Sequence, residues 1–95
     1  MTAYMIFMRE STQDQAALDA YHSKVRDSFD GYPHKVLAAY GTQQMLEGDP
    51  AEATVILEFA SVTAARAWYD SDTYQQVAQH RLEGSRHRVM LIEGQ

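Results

Sequence analysis

The stretch Thr54-Val55-Ile56-Leu57-Glu58-Phe59 decides the fold. It is β-branched and almost continuously apolar, as in a strand covered on both faces. Downstream, Ser61 or Thr63 caps a helix that turns Ala64, Ala65, Trp68 and Tyr69 inward. Asp70-Ser71-Asp72 breaks that helix and caps a further stretch with Tyr74, Val77, Ala78 and Leu82 on one side. A last strand follows at Arg88–Glu93. Upstream lie the turn Glu47-Gly48-Asp49-Pro50 and a strand from His34 to Tyr40. Gly41 is expected to bulge, and Met45-Leu46 to resume pairing. Before these, Leu18, Tyr21, Val25 and Phe29 mark one face of a helix over 14–29, capped by Ser11 or Thr12 and stopped by Gly31 and Pro33. The chain begins with a short apolar strand, Ala3–Arg9.

The order is β-α-β-β-α-β, which predicts an α+β, ferredoxin-like protomer: a four-stranded antiparallel sheet with helices on one face. The same residues predict a partner. A sheet with one wet face alternates apolar and polar residues, yet Met5–Met8, Val55–Leu57 and Val89–Ile92 are apolar at both parities. Two helices cover only one face, and the simplest cover for the other is a second copy of the sheet. A homodimer is therefore expected.

The chain has 95 residues and no Cys, with 13 acidic against 8 basic side chains, a net charge of −5. That length holds one small domain, spanning residues 1–95. The absence of Cys excludes disulfides, thiolate metal sites and a Cys nucleophile. A pI near 5.2 argues against nucleic-acid binding, which needs a basic face. No apolar run reaches the roughly 20 residues of a membrane span, and no secretory leader is evident, so a cytoplasmic address is the default. The four histidines (His22, His34, His80 and His87) have no i, i+4 pair, so no metal site is expected. Phosphate-loop, serine-elbow and kinase signatures are also missing.

Several pieces of the chain together resemble one family. They are Leu46-Glu47-Gly48-Asp49, Glu58-Phe59-Ala60-Ser61, the run Ala64-Ala65-Arg66-Ala67-Trp68-Tyr69-Asp70-Ser71 with Tyr74-Gln75, Arg81-Leu82, and Leu91-Ile92-Glu93-Gly94. They are similar to domain-of-unknown-function family 1330 (DUF1330), within the dimeric α/β-barrel superfamily. The resemblance implies a protomer whose sheet pairs with its twin into a barrel, with the helices outside. It implies no established activity; superfamily relatives include cofactor-free monooxygenases, lactone isomerases, haem-degrading oxygenases and proteins without known catalysis. Two positions depart from the family pattern. Ala39-Tyr40-Gly41 stands where many members carry Arg-Gly-Gly, and Ala60 replaces a common Pro.

The candidate chemistry follows from residue types. His22, beside the apolar stripe of the first helix, is either a general acid/base or a boundary histidine. His34 stands at the mouth of the second strand, where loop-borne polar groups border sites. Tyr40 stands where the family pattern it resembles has a small residue, and either narrows a pocket or offers a phenol hydroxyl. Glu58, in an apolar strand, is a substrate anchor or base, or else a structural partner of an Arg or Lys near a strand end or an acceptor for the free N–H groups of the helix capped three residues later. Arg81 holds a carboxylate or is solvated, and Arg66 reads as exposed. Trp68, Tyr69 and Tyr74 read as core or dimer-contact aromatics.

The expected function is binding, or cofactor-free oxygenase- or isomerase-like conversion, of a small hydrophobic or aromatic metabolite. The site would be a helix–sheet pocket lined by Tyr4, His22, Tyr40 and Trp68. The alternative is a non-catalytic homodimeric module that binds a ligand or protein, with a closed helix–sheet interface.

Overall fold

The computed structural model describes all 95 residues. In chain order they form β1 (Ala3–Thr12), α1 (Gln15–Lys24), a 3-10 segment (Val25–Phe29), β2 (Lys35–Ala39), β3 (Ala53–Phe59), α2 (Val62–Tyr69), α3 (Asp72–Gly84) and β4 (Ser85–Glu93). The strands make one antiparallel sheet in the order β2-β3-β1-β4, the ferredoxin-like arrangement expected from the sequence.

The helix-covered face carries Ala3, Met5, Phe7, Ala53, Leu57 and Phe59, all buried. Of these, Met5, Phe7, Leu57 and Phe59 cluster with Tyr21 of α1, Ala65 and Trp68 of α2, and Tyr74 and Ala78 of α3. Trp68 is fully buried, and its indole N–H donates to Ser28 Oγ at 3.1 Å, so its one polar atom is satisfied.

The opposite face carries no helix. Paired residues share a face, and the register aligns Ala38, Ile56, Ile6 and Met90 in one row across all four strands. Beside it runs Lys35, Glu58, Tyr4 and Ile92. Met90 and Ile92 stay about half exposed, at 49% and 50%, so the open face is apolar at its centre. Both parities of β1 and β3 are thus apolar for different reasons: one packs on helices and the other is left bare.

Local chemistry shifts several boundaries. Ser11 and Thr12 are not caps, because β1 continues through an irregularity between Arg9 and Ser11 to pair with the start of β4. Asp14 caps α1 instead, its carboxylate accepting from the Ala16 and Ala17 amides at 3.0 and 3.2 Å. The α-helix ends at Lys24 and tightens into the 3-10 segment. There Ser28 donates its hydroxyl to the Val25 carbonyl, a local bond that competes with regular α geometry.

The irregularity of β2 falls between Val36 and Ala38 rather than at Gly41. Tyr40 adopts a left-handed φ of 59°, and Met45-Leu46 stays outside the sheet with Leu46 fully in solvent. In α3 the inward row is Tyr74, Ala78 and Arg81, at offsets of four and seven residues. Leu82 sits about 100° further round and is 59% exposed. Geometry therefore puts an arginine where side-chain hydropathy had put a leucine.

Candidate functional site

A cavity of about 150 Å³ opens at the β2 edge and runs between the helical layer and the helix side of the sheet, with lining residues from all four strands. Fourteen side chains line it, and only Arg9, Arg81 and His87 are not hydrophobic. Phe7, Phe29, Tyr21 and Trp68 form aromatic walls, while the exposed residues Val36, Ala39 and Tyr40 mark the mouth. None of the fourteen is acidic.

At the mouth, the Tyr40 hydroxyl and His22 Nε2 lie 2.9 Å apart, with the rings edge to face at 5.3 Å. Burial, then the Arg9 guanidinium, pulls His22 below the usual imidazole range, so its ring is neutral near pH 7. Burial pushes the Tyr40 phenol up, so it keeps its proton. The phenol is therefore the donor and the imidazole the acceptor. His22 faces solvent on its outer side and braces Tyr40 without lining the cavity.

Deeper in, Arg81 is only 4% exposed. Its guanidinium lies over the rings of Phe7 and Tyr21, at 5.5 and 5.9 Å. The Tyr21 and Tyr74 hydroxyls bond each other at 3.0 Å, and burial pushes both phenols up, Tyr21 far above its ordinary range. Arg81 has no carboxylate within ion-pair distance, and its buried Nε–H has no partner. Arg9, by contrast, is neutralised by Glu52 at 3.1 Å.

His87 sits beside both arginines. Ser85 Oγ donates to the Arg81 carbonyl at 2.9 Å and lies 2.9 Å from His87 Nδ1. The hydroxyl has a single proton, so Nδ1–H donates to Ser85 and Nε2 keeps a free lone pair. Burial first, then Arg81 and Arg9, lowers His87 to about 4.

The remaining sequence candidates fall elsewhere. Tyr4 pairs with Glu58 and Ile92 on the open face, because strand side chains alternate and Met5 and Phe7 take the helix side. It cannot line a pocket under the helices. Glu58 lies on that face too, with Lys35 Nζ at 3.9 Å, the Lys pairing considered from its place in the strand. His34 stacks on Phe29 at 3.9 Å, and Phe29 stacks in turn on Trp68 at 4.5 Å. His34 lines a separate, shallow depression with Glu58 and Lys35. Trp68 and Tyr40 do line the 150 Å³ cavity, as does Arg81. Arg66 is exposed and pairs with Asp70 one turn on, at 2.9 Å. No three metal-ligating side chains converge.

Arg9 and His87 were not among the sequence candidates. The signal for them is parity and register: Arg9 follows Phe7 by two on the helix side of β1, and His87 is its cross-strand partner.

A four-stranded antiparallel sheet with its helices on one face, and a cavity at its edge, defines a ferredoxin-like α+β protein. The family model of a domain of unknown function, DUF1330, matches residues 2–95, and the chain belongs to that family. Among curated proteins, none matches. A protein of unknown function from Rhodopseudomonas palustris is 20% identical, with a TM-score of 0.76 over 99% of this chain and 82% of its own. A dimeric ferredoxin-like protein of unknown function from Jannaschia sp. CCS1 is 14% identical, with a TM-score of 0.71 over 99% of this chain and all (100%) of its own. SnoaB, a cofactor-independent oxygenase from Streptomyces nogalater, is 14% identical, with a TM-score of 0.59 over 99% of this chain and 91% of its own. At these identities the likeness is one of fold. No helix of the chain is long and apolar enough to cross a membrane.

Proposed function

We propose that the chain acts as a homodimer, each protomer binding a small hydrophobic or aromatic metabolite in the edge cavity and converting it without a cofactor. The observation that carries this reading is the Tyr40–His22 hydrogen bond at the mouth of an aromatic-walled cavity. Oxygenase-like and isomerase-like conversions of such molecules share one demand, removal of a proton from an acidified C–H or O–H. Tyr40 borders the cavity with a protonated phenol, and neutral His22 accepts from it while touching solvent. The pair can therefore pass a proton between bound molecule and water. Aromatic walls orient a flat ring against that pair. The likeness in fold to a cofactor-independent oxygenase supports this class of reaction, and dimeric relatives of like fold support the homodimer.

Native mass spectrometry of protein purified without added ligand tests both parts. A two-chain mass carrying an extra small molecule is the expected result, and that molecule then serves as the substrate for kinetics. Tyr40→Phe and His22→Gln should each lower turnover on the order of tenfold to a thousandfold with little change in binding. A stable monomer removes the homodimer, and unchanged turnover in both variants removes the proton relay.

A further inference from the structure

We propose that the edge cavity is specific for an anion, and that its ligand is a small aromatic monocarboxylate held by Arg81. This deepens, and rests on, the reading of the cavity as a binding site. Three observations carry it. Arg81 is a cation, 4% exposed, on the cavity wall, with no carboxylate in range and a buried Nε–H that donates to nothing. A buried guanidinium is ordinarily paired and fully hydrogen-bonded, so this donor is set for a partner that the chain itself does not supply. The faces of Phe7 and Tyr21 attract the cation but accept no conventional hydrogen bond from its Nε–H.

The second observation is the sign of the surroundings. The ionisable lining groups are Arg9, Arg81, His87 and the phenols of Tyr21 and Tyr40, and no acidic side chain lines the cavity. Arg9 is already matched by Glu52, which leaves Arg81 as the uncompensated charge. A carboxylate presents two oxygens to a guanidinium and suits its planar fork.

The third is size. A cavity of about 150 Å³ equals, in order of magnitude, the roughly 150 Å³ apolar cavity that takes up benzene in an engineered protein. One aromatic ring plus a carboxylate fills such a space. Phe7, Phe29 and Trp68 then flank the ring.

Trp68 is the only tryptophan and lies on the cavity wall, so its fluorescence reports occupancy. The test is a titration of the full chain with benzoate, with its neutral isostere benzamide and with toluene at pH 7, repeated on Arg81→Met. The expected result is benzoate binding at least tenfold tighter than benzamide to the wild type. In Arg81→Met that preference should vanish while benzamide binding persists. Equal affinity of the wild type for both ligands, or a benzoate preference that survives in Arg81→Met, overturns the anion assignment and leaves the cavity reading in place. A wild type that binds neither benzoate, benzamide nor toluene overturns the cavity reading, and the inference with it. Should Arg81→Met fail to fold, the benzoate-to-benzamide ratio on the wild type decides alone.

Discussion

Replacing Ile6 by Asp puts a carboxylate at the middle of the bare sheet face. Ile6 lies on β1, a central strand, between Ile56 on one side and Met90 on the other. In a two-fold dimer joined through this face every contact is made twice, so one substitution changes two side chains. Full burial of an exposed isoleucine is worth about 1.5–3 kcal/mol, and Ile6 is already partly covered in the protomer, so the pair accounts for at most roughly 3–6 kcal/mol of association energy. At about 1.4 kcal/mol per decade, its loss weakens dimerisation by at most roughly a hundredfold to ten-thousandfold. Two unpaired carboxylates carried into the interface weaken it further. In the isolated protomer the same position is only partly covered, and the β-propensity cost is on the order of 1 kcal/mol. Sedimentation equilibrium over a wide concentration range is the assay, with far-UV circular dichroism to confirm that the protomer stays folded. Wild type should run as a dimer where folded Ile6→Asp runs as a monomer. A variant as dimeric as the wild type would refute the reasoning that the bare apolar face is the one covered by a second copy.

Gly84→Ala should destabilise by about 1–3 kcal/mol. A methyl there would stand 2.8 Å from the Leu18 amide nitrogen and 2.9 Å from the Asp14 carbonyl oxygen, both backbone atoms; chemical denaturation reads the loss. Trp68→Ala should cost about 3–5 kcal/mol, because Trp68 is fully buried and stacks on Phe29 at 4.5 Å and on Phe59 at 5.7 Å; a thermal melt measures it. His87 has a folded-state pKa of about 4, below its ordinary 6.5, so between those values the unfolded chain binds more protons and stability falls as pH falls. The groups acting on it are Arg81, Arg9 and His22, against Glu52. Allowing for solvent screening at this half-open position, the contribution is on the order of 1–2 kcal/mol, present above about pH 6.5 and lost toward pH 4. In urea titrations across that range, His87→Gln should show a flatter slope than wild type.

Element order and topology were legible in the sequence because they rest on composition over short windows. The β-branched run Thr54–Phe59, the caps Ser61 and Ser71, and the both-parity strands specify a sheet, its helices and an uncovered face with little help from distant contacts. Trp68 was a cavity candidate by its aromatic ring and Tyr40 by its departure from the family pattern, and both line the cavity. What only the tertiary structure decided was which face each side chain takes and which groups meet. Tyr4 went to the bare face because strand parity, counted from Met5 and Phe7, leaves it no other side. Arg81 went inward because helix geometry places it in line with Tyr74 and Ala78, whatever its charge. His87 and Arg9 became neighbours through β1–β4 register, a pairing over many residues that no local window contains. The Tyr40–His22 bond joins the residue just after β2 to α1 in the same way. Local patterns set the elements, whereas the cavity and its charge arise from side chains far apart in the chain that the fold alone brings together.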